Sequence, residues 1–489
     1  MAACAVAVYL SALSNGFALD DVPIVAANPQ VHGWSALWRA FGEAYWPRSA
    51  GPTLYRPLVI ASYALDWQIG GAAWFHLVNV ILHAGVSVIV AEVVRRWSGS
   101  LGAALLAGTL FAVHPVHVEA VANVVGRAEL MAALFAILSV FLALERDRPG
   151  WSLAAWAPGL LSKETAVVVP AIVAAGWIFG VGRRPSRSRV LLYSAGWLVL
   201  GSAYLIVRWG VLHSAPRQVL VAPVFVGASP LAVRLTAVSA FTDFVRLLVF
   251  PLKLRADYSP GERTLVTSPL DVRFALGLIC LLVWAALTIW AWRRGRRVEA
   301  FGLCWVALAL LPVANLFFPV GILVAERTLY LPSVGLVLAV AARVKDVSAR
   351  SLGGFAVLVL LACGVRAGMR VPVWHDTRSL AQSVRRDSPR SYLNPLMMAG
   401  TYLARQQPDS ALESIQASVR ISDHFPKALV LGADIAFRLG RPEAADSLLG
   451  RLERICSRCP FYYQYEARTA LSRGDTTVAD SFLVRAVPR

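Results

Sequence analysis

Apolar residues return along this chain in separate blocks, most of them roughly 16–22 residues long, divided by short polar gaps. A helix needs roughly 17–25 residues to cross a bilayer core. Residues 1–19, 74–94, 101–116, 127–145, 151–162, 165–181, 190–208, 272–292, 299–318, 327–342 and 351–369 therefore read as membrane helices, about 11 spans in all. Residues 236–252 are apolar too. Counted as a full span they would carry the Arg293–Arg297 cluster to the opposite side, so they read as an interfacial or re-entrant helix.

From Trp374 onward the pattern changes. Apolar runs shorten, charges rise and helical periodicity takes over. Ala411, Ala445 and Ala479 recur every 34 residues, as do Gly440 with Gly474, Pro408 with Pro442, and Pro426 with Pro460. A 34-residue period with small residues at helix contacts and proline at repeat ends is tetratricopeptide-like, and stacked helix pairs of that kind form a groove for a protein or peptide. The expected fold is all-α: a polytopic membrane helix bundle over residues 1–370, then a short tetratricopeptide-repeat α-solenoid over 371–489.

Composition agrees with the blocks: 57% of residues are hydrophobic, 16% are charged and the mean hydropathy is +0.59, outside the range of ordinary soluble domains. Several of the sixteen tryptophans (Trp46, Trp74, Trp97, Trp151, Trp209) stand at block ends, as interfacial belts require. The net charge of +18 is topological rather than a nucleic-acid footprint. Arg95-Arg96, Arg146 with Arg148, Arg183-Arg184 with Arg187 and Arg189, Arg293–Arg297, and Arg343 with Lys345 each fill a short gap, and the positive-inside rule puts all five in the cytoplasm. The N-terminus is then inside an inner or plasma membrane, and the repeats are extracytoplasmic. The six cysteines are sparse. Cys4, Cys280, Cys304 and Cys363 sit within apolar blocks, and Cys456 with Cys459 could close a local disulfide outside the cytoplasm.

This orientation gathers polar side chains at outer helix ends. Asp20, Asp21, Glu43, Glu119, Glu129, Glu164, Asp257 and Glu326 all fall there, which points to a polar outer cavity above an apolar bundle. Arg56, Arg127, Lys163 and Arg327 join them against the positive-inside trend. Adjacent acids offer them partners, but residues one or two apart on a helix do not face each other. The sharper reading is a cationic pocket for a lipid-linked phosphate. His76, Asn79 and His83 make one polar stripe on an apolar helix, either a structural hydrogen-bond row or a cavity wall. His114, His117 and Glu119 have ligand types suited to zinc or manganese, the alternative being hydrogen bonding or acceptor positioning. No cofactor is certain from these residues, and a divalent metal stays open.

The Asp20-Asp21 pair, YRPL, FHLVNVILH, HPVHVEAVANVVGRAEL, LSKETA, DYS at 257–259, AERTLYLPSVG and WHDTRSL together resemble the transmembrane-and-tetratricopeptide-repeat (TMTC-type) O-mannosyltransferases, over residues 15–380 and on into the repeats. The resemblance implies a GT-C glycosyltransferase that moves a mannose-like sugar from a polyprenyl-phosphate donor to a hydroxyl, on protein Ser or Thr, at the outer membrane face. It implies Asp20 as general base with inversion at the anomeric carbon, and Asp21 as a group that orients the acceptor or Asp20. Arg56, Arg127, Lys163 and Arg327 would hold the phosphate. His76, Asn79, His114, His117, Glu119, Glu129, Glu164, Asp257, Glu326 and Tyr330 would shape the cavity and the acceptor site. The partners are then the lipid-linked sugar, an acceptor protein or peptide on the repeats, and membrane lipids, with no nucleic acid. Two other classes stand beside this one: a lipid-linked sugar transporter, for which no inverted repeat is visible, and a non-catalytic membrane anchor for a repeat scaffold, which leaves the outer acids and cations without a purpose.

Overall fold

The computed structural model describes residues 1–47, 53–213, 221–345, 349–423, 425–456, 460–472 and 474–486. It is all-α, with no strand among the described residues. Cys459 falls outside them, so the Cys456–Cys459 pairing does too.

Each of the eleven apolar blocks contains a helix, but they are not eleven equal rods. By length and composition, six helices among the described residues can cross a bilayer: Ala72–Ser98, Val124–Leu144, Arg187–Leu212, Val272–Arg293, Glu326–Val344 and Gly353–Trp374. A seventh crossing forms if Leu101–Val113 and Pro115–Ala122, which meet at 45°, count as one. The remaining blocks fold as shorter pieces, Ala2–Ser14, Pro149–Ser162, Glu164–Phe179 and Arg297–Leu310. Local chemistry explains the breaks. Proline disfavours α geometry in the residue before it, and His114, ahead of Pro115, is extended at ψ 125°. Lys163 is likewise extended between two helices, at ψ 145°. Periodicity of hydropathy registers an apolar block and not where it kinks. Residues 236–252 resolve into the end of one short helix, Pro230–Ser239, and a second, Phe241–Val249, and both lie against Val272–Arg293.

Burial separates an inner set of helices from an outer one. In the apolar stretch of Val124–Leu144, 72% is buried, against 6% for Arg187–Leu212, 11% for Val272–Arg293 and 17% for Gly353–Trp374. Apolar rods this bare are unsupportable in water and need lipid around them. The chain is a multi-pass membrane protein. Inside the bundle, hydrophobicity no longer distinguishes a helix from lipid, so close packing of small residues does the work. A Cβ on Gly335 would stand 2.4 Å from the Gly302 carbonyl oxygen, and one on Gly302 would stand 2.5 Å from the Gly335 oxygen. These two glycines let Arg297–Leu310 and Tyr330–Val344 touch backbone to backbone. Trp305 then donates its indole N–H to the Leu331 carbonyl at 3.1 Å.

Beyond Trp374, three helical hairpins follow Thr377–Asp387: Leu393–Ala404 with Pro408–Ile421, Pro426–Arg438 with Pro442–Cys456, and Pro460–Ser472 with Thr476–Ala486. Their second helices begin at Pro408, Pro442 and Thr476, on the 34-residue period. A loop from the membrane part fastens the first hairpin. The buried Glu262 carboxylate pairs with Arg255 at 2.9 Å and takes the Arg390 backbone N–H at 2.9 Å. Gly261 sits at φ +99°, where its missing Cβ would collide with the Arg390 oxygen. Asp257 accepts the hydroxyls of Ser259 and Ser391, and burial raises its carboxyl above the usual range.

Gly335→Val forces the Gly302 crossing apart and is expected to cost roughly 1–3 kcal/mol or more. Gly354→Val, on the exposed Ala349–Arg370 helix with nothing within 4 Å of its Cβ position, is expected to cost nothing measurable. Melting in detergent reads both, and equal melting temperatures would contradict the crossing.

Candidate functional site

The segment that carries the adjacent acids is braced on two sides. On one, Gly16 donates its N–H to the His375 carbonyl at 2.8 Å, and Leu19, held at φ +48°, donates to Thr377 Oγ1 at 3.0 Å. On the other, the Asp21 carboxylate accepts three backbone N–H groups, from Ala18 at 3.1 Å, Val125 at 2.8 Å and Val124 at 3.4 Å. The turn that supplies two of them closes only because residue 126 is glycine; a Cβ there would sit 2.2 Å from the Ala120 oxygen. Asp21 is fully buried and does not line the cavity described below. Burial pushes its carboxyl up to about 7, against the pull of the three N–H groups.

Behind that turn lies Arg127, also fully buried. Its guanidinium donates to Asn79 Oδ1 at 2.9 Å, to the Phe75 carbonyl at 2.9 Å and to Ser62 Oγ at 3.2 Å, and it pairs with Asp66. The Tyr63 ring lies 4.9 Å away. Asn79 in turn donates toward the carbonyls of Val121, Asn123 and Val124. This places Arg127 outside the set of phosphate-facing cations: its donors are spent on joining three helices to the turn that holds Asp21.

Asp20 points the other way. It lines a cavity of about 750 Å³ together with Arg56, Glu129, Lys163, Glu164, Arg208 and Arg327. Leu205, Leu212, Phe318 and Ile322 continue the wall, and Leu205, Phe318 and Ile322 are exposed on the apolar outer surface. The volume falls in the range of small-molecule sites. The cations are paired across elements rather than with chain neighbours. Arg56 contacts Glu164 through Nε at 3.2 Å and Nη2 at 2.9 Å, and Arg208 reaches the other Glu164 oxygen at 3.4 Å. Lys163 pairs with Glu129, and Arg327 pairs with Glu119 while also donating its backbone N–H to it at 2.9 Å. The charge of Asp20 is felt at Arg327.

The other expected site residues lie elsewhere. Glu326 turns away from Arg327 and accepts the Tyr258 hydroxyl at 3.0 Å and the Arg255 N–H at 2.5 Å. His76 bonds the Gly16 carbonyl at 2.9 Å, a support for the Asp20 segment rather than a cavity wall. Tyr330 is buried with its hydroxyl 2.8 Å from His83 Nδ1. The suggested metal set does not converge. His114 accepts the Val116 N–H on Nδ1 and bonds the Leu248 carbonyl through Nε2, His117 is held by the Phe111 carbonyl and Ser333, and Glu119 is committed to Arg327. No group of three His, Cys, Asp or Glu residues able to hold a metal occurs among the described residues. Asp257 belongs to the junction with the hairpins.

Arg208 is the residue that sequence reasoning missed. A signal existed: it closes the apolar block 190–208 at the end that the positive-inside reading assigns to the outer side, the side of Arg56 and Lys163 too.

No family model and no solved structure matches the chain. Among curated proteins, it is 31% identical to mouse protein O-mannosyl-transferase TMTC3 over 398 residues, covering 72% of this chain and 42% of that protein. It is 29% identical to human protein O-mannosyl-transferase TMTC4 over 403 residues, 68% of this chain and 53% of that one. Against mouse protein O-mannosyl-transferase TMTC2 the identity is 27% over 510 residues, 84% of this chain and 60% of that one. The chain belongs to the TMTC family. It spans about half the length of the curated relatives it matches.

The Asp21 tether has a pH signature. The folded state holds this proton more tightly than an unfolded chain, whose carboxyl titrates near about 3.9. Its contribution to stability is complete below about pH 4 and is lost as pH rises through about 7. The melting temperature is expected to fall between about pH 5 and pH 8, and Asp21→Asn, which cannot ionise, is expected to flatten that fall. Parallel profiles for the two proteins would contradict the burial of an ionisable carboxyl at Asp21.

Proposed function

We propose that the chain is an integral-membrane glycosyltransferase that moves a mannose-like sugar from a polyprenyl-phosphate donor to a Ser or Thr hydroxyl of a protein at the outer membrane face. The observation that carries the reading is one cavity shared by Asp20, four cations and an apolar wall that runs to the lipid-facing surface. The relatives' name, protein O-mannosyl-transferase, supports the same reaction.

In this reading the isoprenoid lies along Leu205, Phe318 and Ile322, and the phosphate sits among Arg56, Lys163, Arg208 and Arg327. The acceptor oxygen attacks the anomeric carbon while Asp20 takes its proton, and the carbon–oxygen bond to phosphate breaks with its electron pair on the phosphate. A lipid phosphate is a good leaving group once cations receive the developing charge, so one base is enough. A single displacement inverts the anomeric centre. Asp20 acts as a base from a backbone held on both sides, with Asp21 as its anchor rather than a second reactant. The hairpins, outside the cytoplasm, would present the acceptor chain.

The test is sugar transfer in sealed right-side-out vesicles supplied with a polyprenyl-phosphate mannose and a Ser/Thr peptide. Asp20→Asn is expected to slow transfer by about 10²–10⁴-fold with donor binding kept. Arg56→Ala and Lys163→Ala are expected to weaken donor binding. Near-normal transfer by Asp20→Asn in a folded protein would sink the assignment.

A further inference from the structure

The arrangement of Glu164 asks for a purpose. Its carboxylate sits in the cavity between two arginines from different elements, Arg56 ahead of the Pro57–Ile69 helix and Arg208 near the end of Arg187–Leu212. Arg56 turns two donors onto one oxygen, whereas Arg208 holds the other only loosely, at 3.4 Å. Glu164 is also less enclosed than its counterparts: its side chain is 29% exposed, against 4% for Glu129 and 4% for Glu119. Those two are buried partners that keep a cation in place. Glu164 is an anion that another anion can reach and replace, because a guanidinium fork fits phosphate as well as carboxylate.

We propose that Glu164 is a built-in competitor for the phosphate, which holds Arg56 and Arg208 when the cavity is empty and drives the spent lipid phosphate out after transfer. The proposal rests on the reading of the cavity as a lipid-phosphate sugar site. Its logic is the charge change of that reaction. The donor is a phosphodiester with one negative charge. When the bond from the anomeric carbon to the phosphate oxygen breaks, that oxygen keeps the electron pair and the acceptor's proton goes to Asp20. The product is a phosphate monoester whose second proton leaves near pH 6, so it approaches two negative charges at neutral pH. Four cations would hold such a product more tightly than the donor and stall turnover. A fixed carboxylate repels the dianion about twice as strongly as the monoanion, so it lowers product affinity more than donor affinity.

The experiment reads phosphate binding alone, with the purified full chain in nanodiscs. Farnesyl phosphate serves as the monoester probe, farnesyl-phosphoryl-mannose as the diester and farnesol as the control without phosphate. Glu164→Gln keeps the shape and removes the charge. It is expected to bind farnesyl phosphate roughly tenfold more tightly than wild type, with a smaller gain for the diester and none for farnesol. Glu164→Asp, which keeps the charge, is expected to stay near wild type and covers the case in which the amide variant fails to fold: an aspartate variant with tightened binding would overturn the proposal. Unchanged or weaker farnesyl phosphate binding by a folded Glu164→Gln would overturn it as well, because Glu164 would then be a bracket that shapes the arginines for phosphate. Failure of wild type and variant alike to bind farnesyl phosphate would remove the lipid-phosphate reading itself, and the competitor with it.

Discussion

Three backbone N–H groups converging on the Asp21 carboxylate decide where the chain runs after its first helix. A short, broken helix such as Ala2–Ser14 cannot by itself fix the loop that follows it. The carboxylate ties that loop to the Val124–Gly126 turn, and Arg127 with Asn79 ties the turn to the Pro57–Ile69 and Ala72–Ser98 helices. Each link is buried and polar, so each is strong only while all its partners are present. The same network leaves Asp20 as the acid of the pair that faces the cavity.

The cavity has a matching economy of charge. Its cations are set in ion pairs before any ligand arrives, which offsets the cost of holding them away from water. Arg327 pairs with Glu119, 208 positions earlier in the chain, and Lys163 with Glu129 on a neighbouring helix. In the proposed reaction an incoming phosphate would meet donors already aimed and would compete with Glu164 for Arg56 and Arg208, the Arg208 contact being the looser at 3.4 Å. Preset donors of this kind lower the reorganisation that a developing negative charge would otherwise require.

Much of this was legible in the sequence, for reasons that also mark where legibility stopped. Blocks of hydropathy locate a helix in each of the eleven apolar stretches, because lipid and bundle core favour the same residues, but leave out the apolar helix Pro57–Ile69. They do not locate kinks, which depend on single residues such as Pro115 and the extended Lys163, so the number of full-length crossings came out lower than the number of blocks. The 34-residue period survives as helix starts at Pro408, Pro442 and Thr476 because each hairpin repeats the same helix-to-helix contact. At the site, three of the cations flagged at helix ends in an apolar setting, Arg56, Lys163 and Arg327, line one cavity. The flag cannot tell a cavity wall from a buried hub, which is why Arg127 carries the same sequence signature and lies behind the turn. Arg208 escaped because it ends a long apolar block without a neighbouring motif. Glu326 adjoins Arg327 in sequence but does not pair with it, as expected of neighbours on a helix: Glu326 accepts from Tyr258 and Arg255, and Arg327 pairs with Glu119.

The central claim is that one cavity brings an acid and a lipid-borne phosphate face to face. A density map of the chain in a nanodisc with an unreactive polyprenyl-phosphate sugar analogue tests it most directly. Phosphate density is expected among Arg56, Lys163 and Arg208, the isoprenoid against Leu205 and Phe318, and the anomeric carbon on the side of Asp20. Phosphate density elsewhere in the molecule, or a sugar with no path to Asp20, would contradict it.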